Sequence, residues 1–392
     1  MIRCGILVAF LALSGCAGVG YGELPHREYA IGTACDNATG PTNAEQPYYL
    51  VTSRLPDCRE VPVKLLQHRS REVRFARFGA PIKSVNAKGK EQRFVPTDFQ
   101  ERAAWWQSLG AAAKAKNGRV LLYVHGFNES YLTNTESTAQ IARLTGFDGP
   151  IIQYSWPSHG AVTKYAVDET NVYWDERNFR TFLTQLARHP SVKEIVLVAH
   201  SMGARLVIPA VEYVDATSSN ADSSNISNIV LASPDIDRED FERDIAEEVL
   251  AARRVNNDRR ITIYLSGNDK ALALSRQVHG YPRLGSPYCF DPFTAQELKK
   301  QGAPVRCYAS SSKYDVSPQK SGLVIVDTSD VSYGPTGHTD YLKSAFACTD
   351  FAAVVAGKRE GAGKRVQGPA SHIFLLKPEG QEPGHKAECK ID

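Results

Sequence analysis

The chain has 392 residues, and 46 Lys and Arg against 43 Asp and Glu leave a formal net charge of +3. This near balance, with no basic stripe, argues against a nucleic-acid-binding protein. The apolar fraction of 42% is ordinary for a globular protein. The length suits one large α/β domain with elaborations, or two smaller domains.

The N-terminus has the pattern of an export signal. Arg3 gives a positive start, and the apolar run 5–13 is too short to span a bilayer as a mature helix. The run ends in Leu13-Ser14-Gly15-Cys16, which resembles a bacterial lipobox; the resemblance implies cleavage before Cys16 and lipidation of that cysteine. Because Ala17 follows instead of aspartate, a Gram-negative cell would sort the protein to its outer membrane. The alternative is an ordinary signal peptide, which gives a secreted or periplasmic protein.

The composition then divides the chain. Residues 1–15 form the signal, and 16–43, rich in Gly, Thr, Asn and Pro, form a tether. The main domain is predicted over 44–356. Within it, 280–319 either overhangs the active site as a lid or packs as a surface loop. Residues 357–392 form a C-terminal extension tied back by a disulfide.

Cysteine usage supports an exported protein. Cys4 belongs to the signal and Cys16 to the lipid anchor, which leaves an even number of cysteines for disulfides. The competing interpretation, a metal site, lacks a C-x-x-C motif or a close Cys/His pairing. The clustering of the six cysteines along the chain favours the pairs Cys35–Cys58, Cys289–Cys307 and Cys348–Cys389.

Strand and helix patterns alternate along most of the chain. Asp98 and Glu101 form a capping-box pattern that predicts a helix running to Lys116. Predicted strands occupy 48–52, 73–78, 120–124, 150–154, 195–199, 226–232, 261–265 and 323–326. Predicted helices occupy 133–144, 169–188, 203–213, 239–252 and 341–356.

Strands that are apolar along their whole length, separated by helices, predict a mostly parallel sheet with helices on both faces. Ligands bind at the carboxyl ends of the strands in such sheets. The notable polar residues follow the predicted strands at these ends: His125, Ser201, Asp235, Asp269 and His338. Their shared position is stronger evidence for a site than any single motif.

Ser201 is the candidate nucleophile. The apolar run from Ile195 stops at Ala199-His200-Ser201-Met202-Gly203, and a helix pattern follows. This is the strand-to-helix turn of serine hydrolases, G-x-S-x-G, with alanine in place of the first glycine. An ordinary serine at a helix N-terminus is the alternative.

A serine nucleophile needs a base, and the base needs an acid. The α/β-hydrolase order Ser, Asp, His is met by Ser201, Asp269 and His338. Asp235 is an alternative acid, since it follows the preceding strand. The amides of Phe127 and Met202 are the expected oxyanion donors. Two further histidines have other expected roles: His125 is structural, and the His200 side chain points away from Ser201.

Six short motifs, in this order, resemble a bacterial α/β-hydrolase family of unknown function with esterase or lipase-like character. They are His125-Gly126-Phe127-Asn128, Ser155-Trp156-Pro157-Ser158, Ala199-His200-Ser201-Met202-Gly203, Pro234-Asp235-Ile236-Asp237, Ser266-Gly267-Asn268-Asp269 and Gly337-His338-Thr339-Asp340-Tyr341. The resemblance implies an α/β-hydrolase fold and a Ser-Asp-His triad, and it leaves the substrate open.

The sequence thus predicts a membrane-tethered, disulfide-stapled serine hydrolase that cleaves an ester or thioester and needs no metal or organic cofactor. An acyltransferase using the same triad is one alternative. A non-catalytic envelope lipoprotein on a hydrolase scaffold is the other. The oligomeric state stays open.

Overall fold

The computed structural model describes residues 45–57, 63–85, 91–217, 225–245, 259–309, 322–358 and 360–378, together with Cys389. The predicted signal, the predicted lipidation site at Cys16 and the predicted Cys35–Cys58 pair fall outside these ranges, so they stay predictions. No helix in the described ranges combines the length and the apolar character needed to cross a bilayer.

One large sheet organises the described part of the chain. Its strands are β1 (Tyr48–Asp57), β2 (Lys64–Phe78), β5 (Thr97–Gln100), β6 (Arg119–Val124), β7 (Ile151–Ser155), β8 (Glu194–His200), β9 (Ile226–Ala232), β10 (Arg260–Leu265), β11 (Leu323–Asp327), β12 (Arg365–Gln367) and β13 (Ile373–Leu376). Their order across the sheet is β12-β13-β11-β10-β9-β8-β6-β7-β1-β2-β5. A separate hairpin pairs β3 (Ile82–Val85) with β4 (Glu91–Phe94).

The centre of the sheet is parallel. From β1 through β7, β6, β8, β9, β10 and β11 to β13, every pairing between neighbours is parallel. Antiparallel pairs occur only towards the two edges of the described sheet, at β1–β2, β2–β5 and β12–β13. The predicted mostly parallel α/β architecture is therefore confirmed. The sheet also continues past residue 356, because β12 and β13 come from the C-terminal extension.

Helices cover both faces of this sheet. The helices longer than two turns are α1 (Arg102–Ala115), α2 (Tyr131–Thr145), α3 (Tyr165–Ala187), α4 (Ala204–Thr217), α5 (Lys270–His279), α6 (Pro292–Lys300) and α7 (Ala345–Val355). Shorter helical segments occupy Val162–Lys164, Ser201–Gly203, Arg238–Asp240, Phe241–Ile245, Ser329–Val331 and Asp340–Lys343. Two apolar clusters, one on each face of the central strands, form the core.

The start of α1 corrects the capping-box prediction. Asp98 lies in strand β5, which pairs with β2, and the helix begins only at Arg102. Glu101 is the N-cap residue, but no side chain caps the helix. Pairing with the neighbouring strand prevailed over a local helix-start pattern, because ladder hydrogen bonds satisfy the backbone more fully than one cap does.

Two disulfides lie within the described ranges and join the cysteines paired in the sequence prediction. Cys289 is bonded to Cys307, and Cys348 to Cys389. The first closes a loop that carries α6, in which no residue is buried. The second ties the C-terminal extension to α7.

Candidate active site

The turn after β8 holds Ser201 in an unusual backbone conformation. Ser201 has φ of 50°, in the left-handed region that non-glycine residues seldom adopt. A single 3₁₀ turn, Ser201–Gly203, follows, and α4 starts at Ala204. Such strain costs about 1–3 kcal/mol and concentrates at functional sites, where the surrounding structure enforces it. The turn thereby presents Ser201 at the carboxyl end of a central strand.

Two glycines make this turn possible. A Cβ at Gly203 would lie 2.5 Å from the carbonyl oxygen of His125 and 2.8 Å from that of Val124. A Cβ at Gly126 would lie 2.8 Å from the Cβ of Ser201. Only glycine allows the loop after β6 and the nucleophile turn to approach this closely. No such demand falls on Ala199, which is buried in β8, so alanine fits there.

His338 and Asp269 form a short hydrogen-bonded pair. The Nδ1 of His338 lies 2.7 Å from Oδ2 of Asp269. The other carboxylate oxygen of Asp269 accepts from the Leu272 amide at 2.9 Å and caps α5. One aspartate therefore serves both as a helix cap and as the partner of the histidine. The cap fixes the carboxylate, and the carboxylate fixes the imidazole ring and its tautomer.

Asp269 also changes the titration of His338. Burial by itself lowers the pKa of the imidazole, but the adjacent Asp269 carboxylate more than offsets this and raises the pKa above its ordinary value. The ring packs against that of His200, 4.8 Å away between centroids, which places it beside the Ser201 turn. In the described part of the chain, the Ser201 hydroxyl has no hydrogen-bond partner. Catalytic hydrogen bonds are often loose without substrate.

Asp235, the alternative acid, has different partners. Its Oδ1 accepts from Ser275 at 2.6 Å and from Nε of Arg283 at 2.8 Å, while its Oδ2 accepts from Tyr165 at 2.7 Å and Arg205 at 3.1 Å. Burial would raise the pKa of this carboxyl, but the two arginines hold it at about 2. Both oxygens are saturated, so the structure brings His338 to Asp269 and not to Asp235.

The two predicted oxyanion donors come from the two segments that meet at Ser201. Met202 is in the first helical turn after β8, where backbone amides lack intrahelical acceptors. Phe127 follows Gly126 in the loop that contacts Ser201, and its ring packs edge-on against Tyr165 at 5.1 Å. This placement is compatible with the predicted role of both amides.

The two histidines near the Ser201 turn, His125 and His200, differ in the groups that they contact. His125 stacks on Trp156 at 4.8 Å, and both of its ring nitrogens face backbone carbonyls, so it has the structural role expected. The expectation that His200 points away from the site is incomplete. Its ring packs on His338, and its Nε2 lies 3.1 Å from the His338 carbonyl oxygen.

Several polar residues of this region escaped the sequence reasoning. Arg205 bridges Asp235 and Glu169, and buried Arg54 donates to the Glu129 carbonyl. The side chain of Glu129 lies beside His200. Arg205 follows the serine by one helical turn, which was a usable signal, whereas no local pattern marks Arg54. Within the described residues, no group of His, Cys, Asp or Glu side chains could hold a metal ion.

A parallel sheet with a strained serine turn and a His–Asp pair at its carboxyl edge defines an α/β-hydrolase. Residues 102–335, more than half of the chain, match the family described as "Alpha/beta hydrolase of unknown function (DUF900)". The chain therefore belongs to this family, and the predicted family resemblance is confirmed. Ser201 and Asp269 lie inside the matched region, and His338 lies three residues beyond it.

Solved structures give weaker similarities. One is an alpha/beta hydrolase fold protein of unknown function, with 18% identity, a TM-score of 0.27, and coverage of 66% of this chain and 78% of the other. Another is a Trichoderma reesei cutinase in complex with a C11Y4 phosphonate inhibitor, with 16% identity, a TM-score of 0.20 and 33% of this chain covered. The chain spans 62% of the cutinase's length. A search of curated proteins finds no match.

Proposed function

We propose that this protein is a serine hydrolase that cleaves an ester or thioester through an acyl-enzyme. Ser201 is the nucleophile, His338 the general base and acid, and Asp269 the residue that orients His338. The observation that carries the proposal is the 2.7 Å bond between His338 Nδ1 and Asp269, beside a serine held at φ of 50°.

The proposed reaction has two halves. The Ser201 oxygen attacks the acyl carbon while its proton passes to Nε2 of His338, and the amides of Phe127 and Met202 stabilise the oxyanion. Collapse breaks the bond to the leaving alcohol or thiol, which takes the proton from His338. Water then attacks the acyl-enzyme with His338 again as base, and releases the acid and free Ser201.

Labelling with a fluorophosphonate probe tests the nucleophile. The wild type should react covalently at Ser201, and Ser201→Ala should lose the label completely. Ser233→Ala is a matched control, because Ser233 is also buried, follows the neighbouring strand and has φ of 47°. We expect Ser233→Ala to label within about three-fold of the wild-type rate, since strain alone does not create a nucleophile.

The outcomes separate the alternatives. Failure of a small probe to label the folded wild type would exclude the serine-hydrolase proposal and favour the non-catalytic scaffold. If labelling succeeds, p-nitrophenyl esters of increasing chain length measure the acyl preference. Adding alcohol acceptors then distinguishes hydrolysis from acyl transfer, because a transferase forms a new ester in place of the acid.

A further inference from the structure

Glu129 and His200 form a pair next to His338, in which the His200 ring packs against the His338 ring. The dimensions of the pair are those of an ion pair, with His200 Nδ1 3.4 Å from Oε1 of Glu129. Both side chains are largely buried, with 4% of His200 and 13% of Glu129 exposed. In the described part of the chain, His200 Nδ1 and the second oxygen of Glu129 are buried without a hydrogen-bond partner. Unsatisfied buried atoms of this kind cost about 1–3 kcal/mol each.

The contact made by Nε2 of His200 fixes the position of one ring proton. Nε2 is 3.1 Å from the backbone carbonyl oxygen of His338, and a carbonyl can only accept. Nε2 therefore carries a hydrogen. If that were the only ring proton, the Nδ1 lone pair would face the carboxylate oxygen of Glu129, and two buried acceptors would confront each other. A second proton between Nδ1 and Glu129 removes this conflict.

The backbone of Glu129 is held firmly enough to make the contact specific. Its amide donates to the Ser158 hydroxyl at 3.1 Å, and its carbonyl accepts from Arg54 at 2.8 Å. Arg54 is itself fully buried and bonded to Ser155. The carboxylate is thus presented to His200 by a rigid polar network, as expected of groups that position a site.

His200 contacts the segment that carries His338. Its ring packs 4.8 Å from the ring of His338 and 5.1 Å from that of Tyr341, and it binds the His338 backbone. Asp269 fixes His338 from its Nδ1 side, whereas His200 fixes the main chain and one face of the ring. Together these contacts restrict rotation of the His338 imidazole.

We propose that Glu129 and His200 share a proton and act as a positioning pair that holds His338 in its productive orientation. The pair acts through His338 and does not touch the reacting atoms. The inference rests on the proposed function, because it assigns His338 the role of base.

The test compares two substitutions of Glu129 that keep its volume. Glu129→Met replaces both carboxylate oxygens with an uncharged, weakly accepting thioether and should lower the rate of fluorophosphonate labelling about ten-fold, since small displacements of a catalytic group carry penalties of this order. Glu129→Gln can donate its amide to Nδ1 of neutral His200, so it should recover most of that loss. For a chromogenic ester, the Met variant should lower kcat and leave KM within about two-fold.

Glu194→Met is the matched control. Glu194 begins the strand that ends at His200, and it pairs with Arg119 at 2.9 Å at the opposite edge of the sheet. It should label at the wild-type rate. Equal rates for Glu129→Met, Glu129→Gln and the wild type would overturn the positioning role, and so would equal losses in both Glu129 variants.

Nitrogen-15 NMR of histidine-labelled full-length protein provides a readout that needs no activity. The wild type should show His200 Nδ1 bonded to a proton, and Glu129→Met should show a bare Nδ1. A bare Nδ1 in the wild type would overturn the shared proton even if the enzyme labels normally. Conversely, if the proton is shared but the protein never reacts with the probe, the proposed function fails while the Glu129–His200 contact stands.

Discussion

Two buried aspartates follow neighbouring strands of the sheet, and they have different hydrogen-bond partners. Asp235 comes after β9 and Asp269 after β10, and each is less than 4% exposed. Asp235 is saturated by two arginines, a serine and a tyrosine. Asp269 divides its two oxygens between a helix amide and His338.

The difference shows that position at a strand end does not decide function by itself. A carboxylate paired with permanently charged arginines stays ionised, and here it ties several elements together. Arg205 comes from α4, Tyr165 from α3, Ser275 from α5 and Arg283 from the segment that follows α5. A carboxylate paired with a histidine controls a group that gains and loses a proton near neutral pH.

The largest expected effect is on catalysis at Asp269. Asp269→Asn should lower kcat about 10⁴-fold, because the amide favours the wrong imidazole tautomer and cannot stabilise the imidazolium. The rate is measured with a chromogenic ester, or by fluorophosphonate labelling if no ester is turned over. Asp235→Asn should stay within about ten-fold of the wild type. A greater loss in Asp235→Asn would reverse the assignment of the acid.

The second-largest effect is on stability, and here Asp235→Asn should be the more damaging of the two variants. Asp235→Asn removes the counter-charge that buried Arg205 and Arg283 share, although Arg205 keeps its pair with Glu169. The loss of stability should therefore approach, without exceeding, the cost of about 3–5 kcal/mol for breaking a buried ion pair. Chemical denaturation should show this loss, whereas Asp269→Asn, which can still cap α5, should cost only about 1 kcal/mol. Equal destabilisation by both variants would show that the arginine network contributes no special stability.

The same contrast indicates how much of the site sequence could predict. Ser201, Asp269 and His338 each follow an apolar strand, and their order along the chain matches the hydrolase pattern, so local motifs were enough to name them as the candidate triad. Asp235 also follows an apolar strand and therefore stayed open as the alternative acid. Its arginines lie 30 residues upstream and 48 residues downstream, and no local pattern reveals contacts at that distance.

The fold shows the same limit, because local patterns predicted the centre of the sheet but not its edges. Continuous apolar strands predicted the parallel centre of the sheet, because such strands must be buried on both faces. The edges were missed: β12 and β13 are short, and the residues of β12 are partly or fully exposed. A local capping-box pattern places Asp98 at the start of a helix. Its strand conformation depends on pairing with β2, which is a tertiary contact that no local pattern reveals. Likewise, Glu129 faces His200 only because the loop after β6 meets the end of β8 in space.

The smallest effect, and the one that separates the two carboxylates most directly, is the titration of His338. Burial lowers the pKa of its imidazole, Asp269 raises it most, and Asp235 also raises it through charge at longer range. His338 must be neutral to accept a proton, so activity is lost as the pH falls through this pKa. The acidic limb of the wild-type profile should therefore have its midpoint above the ordinary histidine value of about 6.5.

Removing either charge should lower that midpoint, by amounts that follow the contacts. Asp269→Asn should lower the His338 pKa the more strongly, because it removes the adjacent opposite charge. Asp235→Asn should lower it only slightly, because Arg205 and Arg283 already neutralise that carboxylate. NMR titration of His338 measures both values without requiring turnover. A larger shift in Asp235→Asn would mean that the arginines do not screen it, and the distinction between the two aspartates would fail.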